Sequence, residues 1–292
     1  MRKVTVILAM LAAATAALAD GPPRPRITGI SHVAVFTTQR EAANAFYGNL
    51  LGLSKGNWEG AYRIGAQTIE LEAHTASSGS DLLAHVAFAT DDAEGMRRFL
   101  AAHGIAVPDS VHTETNGTRW FTLKDPEGHP IEFVQEETAK DADSKEISHS
   151  LIHAGFVVHD RALEDKFYRD LLGFRLYWQG GMKDTQTDWI DMQVPDGTQW
   201  LEYMMQPAGA KPDARLLGIL NHFALGVPDV KAAAQRLQVR GWKPSDNEHP
   251  QIGRDGKWQL NLYDPDGTRV ELMEFVPVEQ PCCSKYLGPH PH

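Results

Sequence analysis

The sequence predicts an α+β fold in which four β-α-β-β-β modules pair into two domains. A Phe-Tyr-x-x-Leu-Leu-Gly motif at 46–52 returns 121 residues later, at 167–173. An Asp-Pro-x-Gly turn at 125–128 returns 139 residues later, at 264–267. Repeats at two fixed offsets indicate that the chain is a duplication of a pair of modules.

The first module shows the pattern that the other three repeat. Ile30–Thr37 alternates as a strand does, and Arg40–Leu51 has the apolar spacing of an amphipathic helix that ends at Gly52. Strand-like segments follow, and the last of them contains Gln67–Leu71. The other modules begin at Leu83, Leu151 and Leu220.

These modules place an N-terminal domain at 30–137 and a C-terminal domain at 149–277. The polar, charge-rich segment at 138–148 is predicted to be a linker, and 278–292 a loose tail. A chain of 292 residues is long enough for two domains that each have a core.

Residues 1–19 have the features of a cleaved secretory signal peptide. Arg2 and Lys3 precede an apolar run at 4–17, and an Ala-Leu-Ala cleavage site occupies 17–19. We therefore expect a periplasmic or secreted protein.

The formal net charge of −10 argues against nucleic acid and anionic membranes as partners. The expected partner is a small-molecule substrate, bound by a monomer or a homodimer.

Four of the thirteen histidines occupy equivalent positions on the first strand of each module. They are His32, His85, His153 and His222. Side chains alternate across a strand, so each histidine shares a face with the residue two positions later. Those residues are small: Ala34, Ala87, Gly155 and Ala224. Small neighbours favour a cavity beside each histidine over a packed core.

Four glutamates occupy equivalent positions on the last strands, between apolar residues. They are Glu70, Glu132, Glu202 and Glu271. An ionised carboxylate on a covered sheet face is costly unless it is paired or binds a cation. Two modules together supply two imidazoles and two carboxylates, a donor set that suits divalent Zn, Ni, Co, Mn or Fe. A single strand histidine is more often a core residue, but the repeated positions favour a metal.

These motifs resemble those of the vicinal oxygen chelate superfamily, which includes glyoxalase I, bleomycin-binding proteins and extradiol ring-cleaving dioxygenases. The resemblance extends from Ile30 to Val276. It implies that two modules close a curved sheet around one metal ion. The implied primary site contains His153, Glu202, His222 and Glu271, and the secondary site contains His32, Glu70, His85 and Glu132. Only 38 residues separate His32 from Glu70, so we expect a smaller wall around the secondary site.

The primary set resembles the His/Glu/His/Glu pattern of glyoxalase I. By that resemblance a divalent metal binds two adjacent oxygens of the substrate, and Glu271 or Glu202 moves a proton between adjacent carbons. A glutathione hemithioacetal is an awkward substrate for an exported protein, so the resemblance implies proton-transfer or lyase chemistry without naming the substrate.

Two alternatives remain at this stage. An extradiol dioxygenase would use His153, His222 and Glu271, but its pattern has a tyrosine where this chain has Asn261. A non-catalytic binding protein of the bleomycin-resistance type would have an aromatic cavity wall, to which Trp200 could contribute.

The only cysteines of the chain lie in the tail, at Cys282 and Cys283. Neighbouring residues are about 3.8 Å apart, which is short for a disulfide. Together with His290 and His292 they offer ligands for Cu or Zn, although an unstructured end is the simpler interpretation.

Overall fold

The structure, a computed structural model, describes residues 21–74, 81–136, 146–246 and 248–292. The predicted signal peptide and most of the predicted linker lie outside these ranges. The described end of the linker is buried: Glu146, Ile147 and Ser148 are each less than 4% exposed.

Two eight-stranded sheets make up the described chain, and they confirm the predicted α+β architecture of four modules. The N-terminal sheet contains β1 Ile27–Thr37, β2 Ser54–Lys55, β3 Ala61–Ile64, β4 Gln67–Ala73, β5 Leu83–Thr90, β6 His112–Thr113, β7 Arg119–Lys124 and β8 Pro130–Gln135. The C-terminal sheet contains β9 Ser150–Val158, β10 Arg175–Gly180, β11 Trp189–Gln193, β12 Trp200–Met205, β13 His222–Val227, β14 Gln251–Ile252, β15 Trp258–Tyr263 and β16 Arg269–Glu274.

The strand order is the same in both sheets. It is β2-β3-β4-β1-β5-β8-β7-β6 in the first and β10-β11-β12-β9-β13-β16-β15-β14 in the second. The first strands of the two paired modules therefore lie side by side at the centre of each sheet. The last strand of each module pairs in parallel with its own first strand.

Each module has a helix after its first strand. These helices are α1 Arg40–Asn44, α2 Ala93–Ala102, α3 Arg161–Asp165 and α5 Val230–Val239, and an additional α4 Ala214–Leu220 precedes β13. The repeated Phe-Tyr motif lies on π-helical turns that continue α1 and α3, at Ala45–Leu50 and Lys166–Leu171. None of the described helices is both long and apolar enough to cross a bilayer.

One hydrophobic core extends across both domains and contains apolar residues from the strands and helices of each. The ring of Phe88, on β5, packs edge-on against Phe174 of the other domain at a centroid distance of 5.3 Å. Tyr168 lies 6.3 Å from the same ring. The core therefore occupies the helix side of each sheet and leaves the opposite face free for a site.

Two buried hydrogen bonds cross between the domains at equivalent places. The hydroxyl of Tyr47 donates to Oδ2 of Asp264 at 3.0 Å, and the hydroxyl of Tyr168 donates to Oδ2 of Asp125 at 3.1 Å. The tyrosines belong to the repeated helix motif and the aspartates to the repeated turns. The Asp-Pro-x-Gly turns thus join the domains as well as reversing the chain.

The same turns make a second pair of crossing contacts. The carboxylate of Glu127 accepts the backbone N–H of His159 at 2.9 Å, and that of Asp266 accepts the backbone N–H of Thr38 at 3.2 Å. Both pairs follow the offsets of 121 and 139 residues. The contact between the domains is therefore pseudo-twofold symmetric.

The expectation of a loose tail at 278–292 is wrong. His290 Nδ1 and the Tyr177 hydroxyl are hydrogen-bonded at 2.6 Å, and the Tyr286 hydroxyl donates to the carbonyl of Asp255 at 2.9 Å. The Ser284 hydroxyl also accepts the backbone N–H of Gln179, on β10, and donates to the carbonyl of the same residue. The composition of the tail suggested disorder, but His290 and Tyr286 are held by hydrogen bonds to the C-terminal domain.

The tail does not assemble the copper or zinc set that was the less favoured interpretation of its cysteines and histidines. Cys282 and Cys283 are joined in a disulfide. The potential ligand cluster around them contains Asp184 and neither histidine of the tail. His290 is instead engaged by Tyr177.

We predict that Tyr47→Phe lowers the free energy of unfolding by about 1–3 kcal/mol, because it leaves a buried carboxylate oxygen of Asp264 without a donor. Tyr168→Phe should cost less, because His129 Nδ1 also lies 2.7 Å from the same oxygen of Asp125. Urea denaturation measures both changes, with the more exposed Tyr263→Phe as the control. Equal losses in all three variants would show that the crossing bonds contribute nothing specific.

Candidate metal centre

Strand register builds the site in the C-terminal sheet. In the antiparallel β9–β13 pair, His153 lies opposite Ala224 and His222 lies opposite Gly155. In the neighbouring parallel pairs, Glu202 of β12 lies beside Gly155, and Glu271 of β16 lies beside Ala224. Each small residue is thus flanked by one histidine and one glutamate, so that four ligand side chains surround a space that no side chain fills.

The four side chains converge on one point. Nε2 of His153 lies 3.1 Å from Nε2 of His222, 3.7 Å from Oε2 of Glu202 and 3.5 Å from Oε2 of Glu271. His222 Nε2 lies 3.1 Å and 3.9 Å from the same two oxygens. Ligands about 2.0–2.2 Å from a common ion lie roughly 3 to 3.6 Å apart. His153, Glu202 and His222 have ligand atoms that all lie within 4.8 Å of one another. Glu271 lies within 3.9 Å of both imidazoles, so it would complete an N2O2 set for a divalent metal after a small side-chain shift.

Gly155 forms part of the cradle for His222. A Cβ atom at this position would lie 2.5 Å from Cε1 and 2.8 Å from Nδ1 of the imidazole. On its other side the Nδ1 of His222 lies 2.8 Å from the carbonyl of Leu220, which orients the ring. The absence of a side chain at 155 is therefore required for the position of this histidine.

The N-terminal sheet repeats the arrangement. Ala34 is flanked by Glu70 and His85, and Ala87 is flanked by His32 and Glu132. The two imidazole Nε2 atoms are 2.9 Å apart, and His32 Nε2 lies 3.8 Å and 3.7 Å from the carboxylates of Glu70 and Glu132. The structure therefore brings together both sets of residues predicted from the sequence.

Burial controls the protonation of the C-terminal set. His153 and His222 are at most 1% exposed, and this burial holds the pKa of each well below its ordinary value. Both imidazoles are therefore neutral and have a lone pair available for a metal. Burial raises the pKa of Glu271 to about 8, and the nearby charge of Arg269 opposes this rise.

The N-terminal set has the same electrostatic character. Burial lowers the pKa of His32 to about 3 and that of His85 to about 4. It raises the pKa of Glu70 to about 8 and that of Glu132 to about 7, and other glutamates nearby add to both rises. A divalent cation would supply the positive charge that these buried carboxylates lack.

Each set opens into a cavity, and the expectation about their sizes is wrong. The N-terminal cavity has a volume of about 630 Å³, and the C-terminal cavity about 330 Å³. The shorter spacing from His32 to Glu70 was expected to give the smaller wall. The loops around Trp58 and Asn116 instead line a wide cavity, because wall size depends on loop path more than on loop length.

The C-terminal cavity contains residues that the sequence argument did not assign to the site. Asp191 of β11 pairs with Glu202, and Asn261 of β15 pairs with Glu271. Arg269 lies two residues before Glu271 on the same face of β16. Strand alternation beside the predicted ligands was the signal that could have found all three.

The aromatic residues divide between wall and core. Trp178, Trp189 and Trp200 line the C-terminal cavity, whereas Trp242 and Trp258 pack against the hydrophobic core. Each of these tryptophans could have been an ordinary core residue. The structure thus gives the cavity aromatic as well as charged lining residues.

A family model described as the glyoxalase/bleomycin resistance protein/dioxygenase superfamily matches residues 29–133 and 150–272. The chain belongs to this superfamily. The matched residues cover most of the chain and fall in both halves, one match for each sheet.

Solved structures of the superfamily share the fold of this member. The Mn(II)-bound glyoxalase from Novosphingobium aromaticivorans is 20% identical, with a TM-score of 0.65 over 86% of this chain and 83% of its own. The homoprotocatechuate 2,3-dioxygenase from Brevibacterium fuscum, in complex with 3,4-dihydroxyphenylacetate, is 18% identical, with a TM-score of 0.63 over 86% and 82%. No curated protein sequence matches the chain.

We predict that Gly155→Ala abolishes metal binding at the C-terminal site, because the added Cβ displaces the His222 ring. Elemental analysis should show the loss of the ion bound there, while any ion in the N-terminal site stays. The N-terminal sheet is the internal control, since it already has Ala34 at the equivalent position. Undiminished metal content would contradict the proposed cradle.

We predict that zinc binding at pH 7 releases at least one proton per ion. Glu271 is mostly protonated at that pH because its pKa is raised to about 8, and it must ionise to bind a cation. Affinity should therefore rise with pH up to about 8 and level off above it. Calorimetry in two buffers of different ionisation enthalpy measures the proton count, and a count of zero would contradict the binding of zinc by a protonated Glu271.

Proposed function

We propose that the protein is a divalent-metal-dependent enzyme that acts on a small molecule with two adjacent oxygens, through proton-transfer or lyase chemistry of the glyoxalase I type. The convergence of four donor atoms from His153, Glu202, His222 and Glu271 is the observation that supports this proposal. His153, His222 and Glu271 are buried, and every member of the set except His222 lines the cavity, as a site with limited access to water requires.

The proposal assigns each side chain a role. The two histidines and two glutamates would hold the ion, which would polarise adjacent substrate oxygens as a Lewis acid. Glu271 or Glu202 takes a proton from one carbon and returns it to its neighbour. Glu271 suits this role because its side chain is only 4% exposed, against 14% for Glu202, so that a proton held there is better protected from solvent. The tryptophans of the wall shield the proton from solvent.

Extradiol ring cleavage is the second candidate, and the two-domain fold shared with the homoprotocatechuate dioxygenase favours it. His153, His222 and Glu271 would supply its two-histidine, one-carboxylate set. Glu202 then adds a fourth donor that such a set does not need. Asn261, not a tyrosine, faces Glu271 across β15 and β16.

A non-catalytic binding protein is the third candidate. The aromatic residues Trp178, Trp189 and Trp200 on the cavity wall favour it. It does not require four converging ligands, which is why we rank it last. We also propose that the protein acts in the periplasm or as a secreted protein. This proposal is based only on the signal-peptide pattern of residues 1–19.

Metal content and reaction type together distinguish these candidates. We predict that the purified protein binds a divalent ion stoichiometrically, and that His153→Ala/His222→Ala loses the ion of the C-terminal site.

Proton transfer predicts exchange of substrate hydrogen with deuterium from D2O, measured by NMR, without oxygen uptake. Oxygen consumption with a panel of catechols would support ring cleavage instead. Failure to bind Zn, Ni, Fe, Mn or Co would leave only the binding protein.

A further inference from the structure

Buried polar atoms without partners are concentrated at the C-terminal cavity. Within the described ranges, eleven side chains carry such an atom. Five of them line this cavity, and none lines the N-terminal one: His153, Asp191, Trp200, Asn261 and Arg269. Native proteins pair nearly all buried polar groups, so a concentration of this kind indicates groups that pair with a ligand.

Arg269 is the cation among these groups. It lies on the same strand face as Glu271, and its Nε is buried without a hydrogen-bond partner among the described residues. It lines the same cavity as His153, Glu202 and Glu271, and it lies two residues before Glu271 on β16. The guanidinium is therefore close to the place where the reacting part of a substrate would lie.

The other cations near this cavity already have partners. Arg254 forms an ion pair with Asp184 and donates to the carbonyl of Gly181 at 3.1 Å. Lys257 is fully buried behind the wall, with its ammonium 4.5 Å from the ring centre of Trp200. Arg269 is thus the cavity cation that remains available to an incoming group within the described part of the chain.

We propose that the substrate of the C-terminal site carries a carboxylate or a comparable oxyanion, in addition to its two adjacent oxygens, and that Arg269 binds it. This inference rests on the proposed function and specifies its substrate class. A guanidinium presents a planar fork of donors that matches a carboxylate, and it keeps its charge at every working pH. Asn261, one strand away, has its amide oxygen Oδ1 buried without a partner, and this oxygen would accept a hydrogen bond from a substrate hydroxyl.

The N-terminal cavity provides the contrast within one molecule. It has the same four ligand types, but Pro130 occupies the position equivalent to Arg269. Glu72, Glu114 and Glu136 line it as well. Among the described residues of this lining, Arg63 is the one arginine or lysine, against five glutamates, whereas the C-terminal lining has Arg254 and Arg269 against four carboxylates. An anionic ligand would be repelled there, so the two cavities differ in the charge of the ligand that they accept.

A matched pair of probes tests the proposal. Calorimetry on the zinc-loaded protein would compare 3,4-dihydroxybenzoate with 3,4-dihydroxybenzamide, and likewise the 2,3-dihydroxy isomers. These probes share adjacent oxygens and differ in charge. In at least one pair the acid should bind about 10- to 100-fold more tightly than the amide. Arg269→Gln should reduce this ratio to about one, and Arg269→Lys should keep part of it.

The controls separate charge, folding and metal binding. Arg215→Gln removes one positive charge from an exposed position on α4 and should leave the ratio unchanged. Unchanged amide binding in Arg269→Gln would show that the metal site is intact. Equal binding of acid and amide to the wild type, or a ratio that persists in Arg269→Gln, would overturn the inference and leave the proposed function standing. Absence of binding by either probe would overturn both.

Discussion

The structure depends on the pairing register of the two central strands in each sheet. Because side chains alternate with a period of two, a shift of one residue would move every histidine into the hydrophobic core. The register places Ala34 and Ala87 in one sheet, and Gly155 and Ala224 in the other, at the centre of the ligand sets. Burial of the large apolar faces against a common core fixes this register. The alternation of side chains between the two faces of each sheet therefore determines both the packing of the core and the geometry of the ligands.

Because both domains share this register, they differ mainly in the residues that surround the metal ligands. The N-terminal cavity is wide and has Glu72, Glu114 and Glu136 beside its ligands, whereas the C-terminal cavity is narrower and contains Arg269. Some of the residues that differ lie on the ligand strands themselves, such as Glu72 on β4 and Arg269 on β16. The ligand positions hold the shared chemistry, and the residues beside them decide which molecule can approach it.

Much of this could be predicted from the sequence. The offsets of 121 and 139 residues located the modules, and alternation around His153 and Glu271 identified the ligands, because both signals are local. The crossing bond between Tyr47 and Asp264 could not be predicted, since no local rule says which domain a turn carboxylate meets. The ordered tail could not be predicted either, because it depends on hydrogen bonds to residues such as Tyr177, which is about a hundred residues away in the chain. The cavity sizes could not be predicted because they depend on the paths of loops.

The crossing hydrogen bonds have a consequence for the origin of the chain. Each turn aspartate is satisfied by the tyrosine of the other half, in the reciprocal manner of an isologous interface between identical subunits. A single ancestral half would have met these requirements only as a homodimer with two equal sites. Within one chain the two halves need not be equal. One half carries Arg269 and the other Pro130 at the equivalent position, so that a symmetric scaffold supports two different sites.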